Sequence, residues 1–200
     1  MQDDTHFDYI IIGSGLAGLQ LALALSEDPF FDSFKIALID PSDKSTNDKT
    51  WSFWEQGKGK WDIIVESAWD NAVFKSSKLS LSLPLDGYSY KTIKSLKFYN
   101  YAKQQLDLHR NIHFILDAVQ TIEASDRSKI ITKKSIYTAN HVFDSRIPED
   151  YYTQHRKHVI IHQHFKGWVI ETDIDTFQPD FFTMMDYRFQ YKDSTSFIYV

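Results

Sequence analysis

The stretch DYIIIGSGLAGLQLALALSE, residues 8–27, sets Gly13, Gly15 and Gly18 at G-x-G-x-x-G spacing between two apolar runs of different character. DYIII is the short continuous apolar run of a buried parallel strand. LQLALALSE is apolar almost all round, as a helix buried on most faces must be. In a strand–turn–helix of this kind each glycine has a separate task. Gly13 permits the tight turn, Gly15 lets a pyrophosphate approach the backbone, and Gly18 lets the helix pack closely on the strand. Ser14, Leu16 and Ala17 complete the loop, and the helix N-terminus turns its free N–H groups toward the phosphates. After a loop, FKIALID reads as a second buried strand ending in Asp40, 22 positions beyond Gly18. An acid placed there accepts hydrogen bonds from an adenosine ribose. A dinucleotide-binding turn is the reading; NAD(P) and FAD both remain open at this point.

Bulk properties narrow the partners. The 200 residues carry a net charge of -5 with scattered basic positions, which gives no electrostatic footprint for nucleic acid. Cysteine is absent, so disulfides and thiolate chemistry are excluded, in keeping with a cytoplasmic protein. The start, MQDDTHF, is acidic where a signal peptide is basic. Residues 9–26 are uncharged but are interrupted by three glycines, at the lower length limit for a membrane span, and are read as soluble.

A plain nucleotide-binding domain would continue as strand–helix repeats. Here residues 46–91 instead hold short strand-like runs, DIIVES, NAVFKSS and KLSLSLPL, which read as β-rich material inserted into the fold. TIKSLKFYNYAKQQLDLH then sets Leu96, Tyr99, Ala102 and Leu106 at helical spacing. HVFD ends in the polar cluster Asp144, Ser145 and Arg146, the kind of strand end at which ligands gather. Beyond Pro148 the runs HVIIHQHFKGWVIETD, FFTMMDYRF and SFIYV suit an antiparallel sheet. The expected fold is α/β: a Rossmann-like FAD/NAD(P)-binding domain (1–60 and 92–147) interleaved with a mostly antiparallel β-sheet substrate domain (61–91 and 148–200). The chain stops inside an apolar run at Val200, so it is expected to be the N-terminal part of a longer protein.

DYIIIGSGLAGLQLALAL, DKTWSFW, VFDSR, QHFKGWVIET and MMDYR, in this order, resemble the lycopene β-cyclases of carotenoid-making bacteria. TWSFW and HFKGWVIET carry more of that resemblance than the glycine motif, and together the motifs cover essentially the whole chain. The resemblance implies a fold like that of the FAD-dependent hydroxylases and reductases, with the VFDSR segment near the flavin. On it, FAD is bound by the glycine loop together with Asp40, Val119, Asp144 and Arg146. It further implies closure of the ends of lycopene, or a related carotenoid, to β-ionone rings without net redox change, with reduced FAD and NAD(P)H as the source of electrons. The polyene substrate implies peripheral attachment to the inner face of the membrane.

Such a reaction needs a proton donor, a dry cavity and a base. Trp51, Phe53 and Trp54 in the TWSFW loop, with Trp168, are the residues expected to wall that cavity and to stabilise a developing cation through ring faces, at roughly 0.5–2 kcal/mol per ring. They equally suit ordinary core aromatics. The family's essential glutamate lies beyond a strand like FIYV, so the main acid is expected past Val200 and this chain alone is expected to be inactive. Among the acids present, Asp186 is the one candidate for a catalytic role, although an Asp186–Arg188 ion pair is the stronger reading. Arg146 suits either the flavin or Asp144. His162 and His164 alternate on one strand face without a third ligand, so no metal is expected. A flavin hydroxylase or prenyl reductase, and a non-catalytic dinucleotide-binding module, remain as the other classes.

Overall fold

The computed structural model describes residues 5–153, 159, 161 and 163–200. It divides into two compact units, Met1–Asp48 with Ser95–His162, and Lys49–Lys94 with Gln163–Val200.

The first unit is built on β1 (His6–Ile12), α1 (Leu16–Glu27) and β2 (Ile36–Asp40), with β1 and β2 paired in parallel. All five residues of β2 are buried, which is why its sequence is apolar without alternation. Helix α1 ends where Pro29 forces Asp28 into extended backbone (φ -103°, ψ 113°). The chain leaves this unit after β2 and enters the second unit's strands β3 (Thr50–Gln56), β4 (Ser67–Trp69), β5 (Asn71–Lys75), β6 (Ser80–Pro84) and β7 (Tyr88–Lys94). It returns through α2 (Ser95–Leu106) to β8 (Ile112–Leu116), β9 (Val119–Glu123), β10 (Ser128–Thr132) and β11 (Ile136–Asp144). These complete a six-stranded sheet in the order β8-β2-β1-β11-β10-β9, in which β8, β2, β1 and β11 are parallel and β9 and β10 form an antiparallel meander. Phe7, Ile10, Ile12, Ala37, Ile39, Ile130 and Ala139 make the core on one face.

Helix α2 begins at Ser95, three residues into the stretch expected to be helical, because TIK belongs to β7. Its buried stripe is Phe98, Tyr99, Ala102 and Leu106, with Leu96 only half-buried. Its first turn is held from the loop after β2. Asn47 Oδ1 accepts from the Leu96 N–H, and Asp48 Oδ1 accepts from Ser95 Oγ (2.9 Å) and from Tyr99 Oη (3.0 Å). Burial, with Asp48 beside it, pushes the Tyr99 hydroxyl up to about 12.

The second unit holds two three-stranded sheets, β3-β7-β4 and β12-β5-β6, with β12 at Phe182–Asp186. TWSFW is a strand here, not a loop. Cross-strand partners Trp51↔Ile93 and Phe53↔Lys91 share one face, while Trp54↔Tyr90↔Trp69 form an aromatic row on the other. Phe182 of the neighbouring sheet stacks on the middle of that row, 4.4 Å from Tyr90, and joins the two sheets. On the opposite face Lys91, itself buried, donates to Glu55 (2.8 Å), Asp62 (2.6 Å) and the Gly57 carbonyl (3.0 Å), which holds the 57–62 loop down.

Three of the expected strands take another form. DIIVES contributes a 3-10 turn, Asp62–Ile64, because Asp62 is drawn to Lys91. Residues 163–178 carry no strand: Trp168 is 75% exposed and Val169 fully so, because an alternating sequence needs a partner strand and none pairs with it among the described residues. Among the described residues SFIYV pairs as a strand only through the bridge Ile198↔Asp186 and the reciprocal Val200–Thr183 hydrogen bonds. The β12–β5 pairing is parallel, where an antiparallel neighbour was expected.

A Cβ on Gly18 would overlap the carbonyl oxygen of Gly13, whereas one on Gly15 would meet no atom within 4 Å. Gly18→Ala is therefore expected to destabilise the protein by about 1–3 kcal/mol, and Gly15→Ala by about 1 kcal/mol or less, as a helix N-cap change. Denaturant unfolding of both variants without added nucleotide checks the difference.

Candidate functional site

Four segments far apart in sequence meet at the carboxyl ends of β1, β2 and β11. The turn after β1 needs Gly13 in left-handed backbone (φ +96°), and the space a side chain would take there is filled by Ser145. Ser145 is fixed in turn, its Oγ donating to the Ile12 carbonyl at 2.8 Å. The VFDSR segment thus packs against the glycine turn. Asp40 ends β2 with its carboxylate buried and directed at the same turn. Oδ2 accepts from the Ser14 N–H and Oδ1 from the Ser42 N–H, both at 2.8 Å, while Lys44 Nζ lies 3.1 Å from Oδ2. Lys44 holds a left-handed backbone (φ 56°) to do this.

The cleft so formed has a volume of about 350 Å³; Gly13, Asp40, Lys44, Val119 and Arg146 are among its lining residues. Arg146 reaches it through two anchors. Its guanidinium pairs with Asp144 (Nε–Oδ1 2.9 Å, Nη2–Oδ2 2.8 Å), and Nη1 donates to the Val119 carbonyl at 2.8 Å. Burial works to raise the Asp144 carboxyl, but the Arg146 guanidinium and N–H outweigh it and hold it below the ordinary carboxylate value. The cofactor residues expected from sequence, Gly13, Ser14, Gly15, Leu16, Ala17, Gly18, Asp40, Val119, Asp144 and Arg146, are therefore gathered around one turn. Lys44 and Ser145 are additions. The position of Lys44, four residues after Asp40, and the place of Ser145 in the polar cluster at the end of HVFD were their sequence signals.

This geometry fits a dinucleotide. Gly15 faces open space, helix α1 begins at it with no side-chain cap and no acid in its first turn, and Asp40 stands beside it. In the second unit the expected pocket aromatics are distributed otherwise. Trp51 and Phe53 share the Lys91 face, Trp54 belongs to the row under Phe182, and Trp168 lies exposed with Lys166 over its ring. Asp186 is buried and bound two-pronged by Arg188 (2.9 and 2.7 Å), which, against burial, holds its carboxyl below the ordinary range. That keeps Asp186 ionised, which suits the ion pair and not a proton donor. His162 lies outside the described residues. No group of three or more metal-binding side chains occurs among the described residues, and none of the described helices is long and apolar enough to cross a membrane.

Because the Asp144 and Asp186 carboxyls are held below 3.8 in the folded protein, the stability they contribute is complete above about pH 5 and is lost as pH falls through their folded-state values. Thermal unfolding followed from neutral pH downward is expected to change little until that limb. Arg146→Leu is expected to let burial carry Asp144 upward, seen directly in its carboxyl NMR titration.

The fold is similar to that of solved flavin-dependent enzymes. Residues of this chain superpose on the halogenase PltM (13% identity, TM-score 0.51, covering 70% of this chain and 34% of that one), whose complex with phloroglucinol and FAD has been solved. They superpose likewise on p-nitrophenol 4-monooxygenase PnpA from Pseudomonas putida DLL-E4 (13%, 0.56, 70% and 40%) and on P. aeruginosa PqsL (9%, 0.53, 68% and 42%). The chain thus spans less than half the length of each of these proteins. No curated protein matches it. The model of the family described as lycopene cyclase protein matches residues 8–200, and the chain belongs to that family.

Proposed function

We propose that this chain carries the FAD-binding part and some of the substrate-facing strands of a lycopene β-cyclase, which closes the ends of lycopene to β-ionone rings. The family match over residues 8–200 carries this reading, and the glycine-turn cleft supports the cofactor. Segments 1–48 and 95–147 then act as the dinucleotide domain, and 49–94 with 163–200, including β3 with Trp51, Phe53 and Trp54, form the substrate side.

Within this reading, the N–H groups at the start of α1 and the bare Gly15 hold the FAD pyrophosphate, and Asp40 takes the adenosine ribose. Arg146, fixed by Asp144 and by the Val119 carbonyl, would present a pre-oriented guanidinium to the cofactor, its charge offset by Asp144. Reduced FAD held there would supply an electron-rich ring system without net redox change, with NAD(P)H as the proposed source of its electrons. Trp51 and Phe53, on one face of β3, help to exclude water from a carbocation that water would otherwise trap as an alcohol. Asp186 serves as a structural anion, so the proton comes from another acid. The polyene brings the protein to a membrane surface from the cytoplasmic side.

Expression of the complete reading frame in cells that accumulate lycopene, followed by chromatography of the pigments, tests the reading. β-Carotene or γ-carotene is expected, and Gly15→Val is expected to leave lycopene unconverted. Unchanged lycopene with a folded, flavin-loaded protein would move the assignment to a flavin hydroxylase or reductase.

A further inference from the structure

The β12-β5-β6 sheet of the second unit is polarised end to end. Strands β5 and β12 run parallel with Lys75 opposite Asp186, and the Tyr187 N–H donates to the Lys75 carbonyl at 2.8 Å, so both strands finish at the same edge of the sheet. Two turns leave from that edge, one over residues 76–79 and one over residues 187–196, the latter returning as the segment that bridges to Asp186 at Ile198. Together they bring Lys75, Lys78, Arg188 and Lys192 to one end, against Asp186, already bound by Arg188, and Asp193. The other end carries Asp70, Asp86 and Asp180. On a chain of net charge -5, this end is a local cationic surface.

The same turns expose apolar rings and chains among the cations. Tyr191 is 68% exposed, Phe189 58% and Leu79 48%. Lys192 sits over the Tyr191 ring and Arg188 over the Phe189 ring, so each aromatic is presented with a base beside it. Lys192 holds left-handed backbone (φ 53°), and the 187–196 turn is tied by Ser194 and Ser196 to the Tyr191 backbone. The rings are thus presented by a shaped turn. Aromatics and leucine flanked by lysine and arginine are the chemistry of a bilayer interface, where rings enter the headgroup layer and bases meet anionic lipid.

We propose that this sheet end, residues 75–79 and 187–192, is the surface by which the protein docks on an anionic phospholipid bilayer. The choice of a bilayer over another acidic partner rests on the polyene substrate proposed above; the surface itself is read from charge, register and exposure.

Sedimentation of the full chain with vesicles, with no carotenoid or flavin present, tests the docking apart from the cyclase reading. Vesicles of phosphatidylcholine mixed with phosphatidylglycerol are expected to carry the protein down, pure phosphatidylcholine much less, and added salt is expected to release it. Lys78→Glu with Lys192→Glu is expected to weaken the partition about tenfold or more. Phe189→Ser with Tyr191→Ser is expected to weaken it on both lipids. Arg127→Glu with Lys133→Glu, the same change of net charge in the first unit, is expected to shift it by less than about twofold. All six positions are exposed, and circular dichroism checks that each variant folds. Equal loss in the first-unit variant would reduce the effect to net charge and overturn the proposal. So would binding to duplex DNA with no partition onto vesicles.

Discussion

The close approach of Gly18 to the carbonyl of Gly13 sets the geometry on which the first unit depends. It lets α1 start directly over the end of β1, with Ile11 beneath it, and so fixes the direction in which the helix N-terminus points. Everything at the candidate site is measured from that turn. Ser145 fills the space that Gly13 leaves, Asp40 accepts from the Ser14 N–H, and Asp117 at the end of β8 donates its N–H to the Asp40 carbonyl. A larger residue at position 18 would push the helix away and open all of these contacts together.

The charges around the turn are arranged in pairs that leave little freedom. Lys44 lies against Asp40, and Arg146 against Asp144, while Arg146 also reaches across to the Val119 carbonyl of the meander. Each cation is thereby held in place at the cleft, which would lower the entropy lost if it binds the dinucleotide proposed for it. The second unit uses the same device for another purpose: Lys91 between Glu55 and Asp62 shapes a loop, and Arg188 on Asp186 ties the hairpin end of β12.

What could be read from the sequence was whatever is fixed by short-range spacing. The glycine triplet, the buried run ending in Asp40 and the strand before Asp144 each declare themselves within a few residues, and the structure forms them as elements. TWSFW misleads because three adjacent rings suggest one surface, while a strand sends neighbours to opposite faces, so Trp54 parts from Trp51 and Phe53. HFKGWVIET alternates like a strand but forms no β-ladder with any of the described residues, since strand pairing is a property of the neighbour and not of the segment. The parallel β12–β5 contact joins residues more than a hundred apart, and Lys91 bends DIIVES into a turn from beyond its own window. Neither leaves a local trace.

The central claim, that the glycine turn is a flavin-dinucleotide cradle, is tested most directly by the dissociation constant for FAD, measured by flavin fluorescence on the unmodified chain and on Gly15→Val. Position 15 has ordinary extended backbone (φ -81°, ψ -164°) and no neighbouring atom within 4 Å, so the variant is expected to fold as before. A loss of affinity of at least about tenfold is the expected result, since the added side chain occupies the space assigned to the pyrophosphate. Unchanged FAD affinity in a folded Gly15→Val protein would contradict the account.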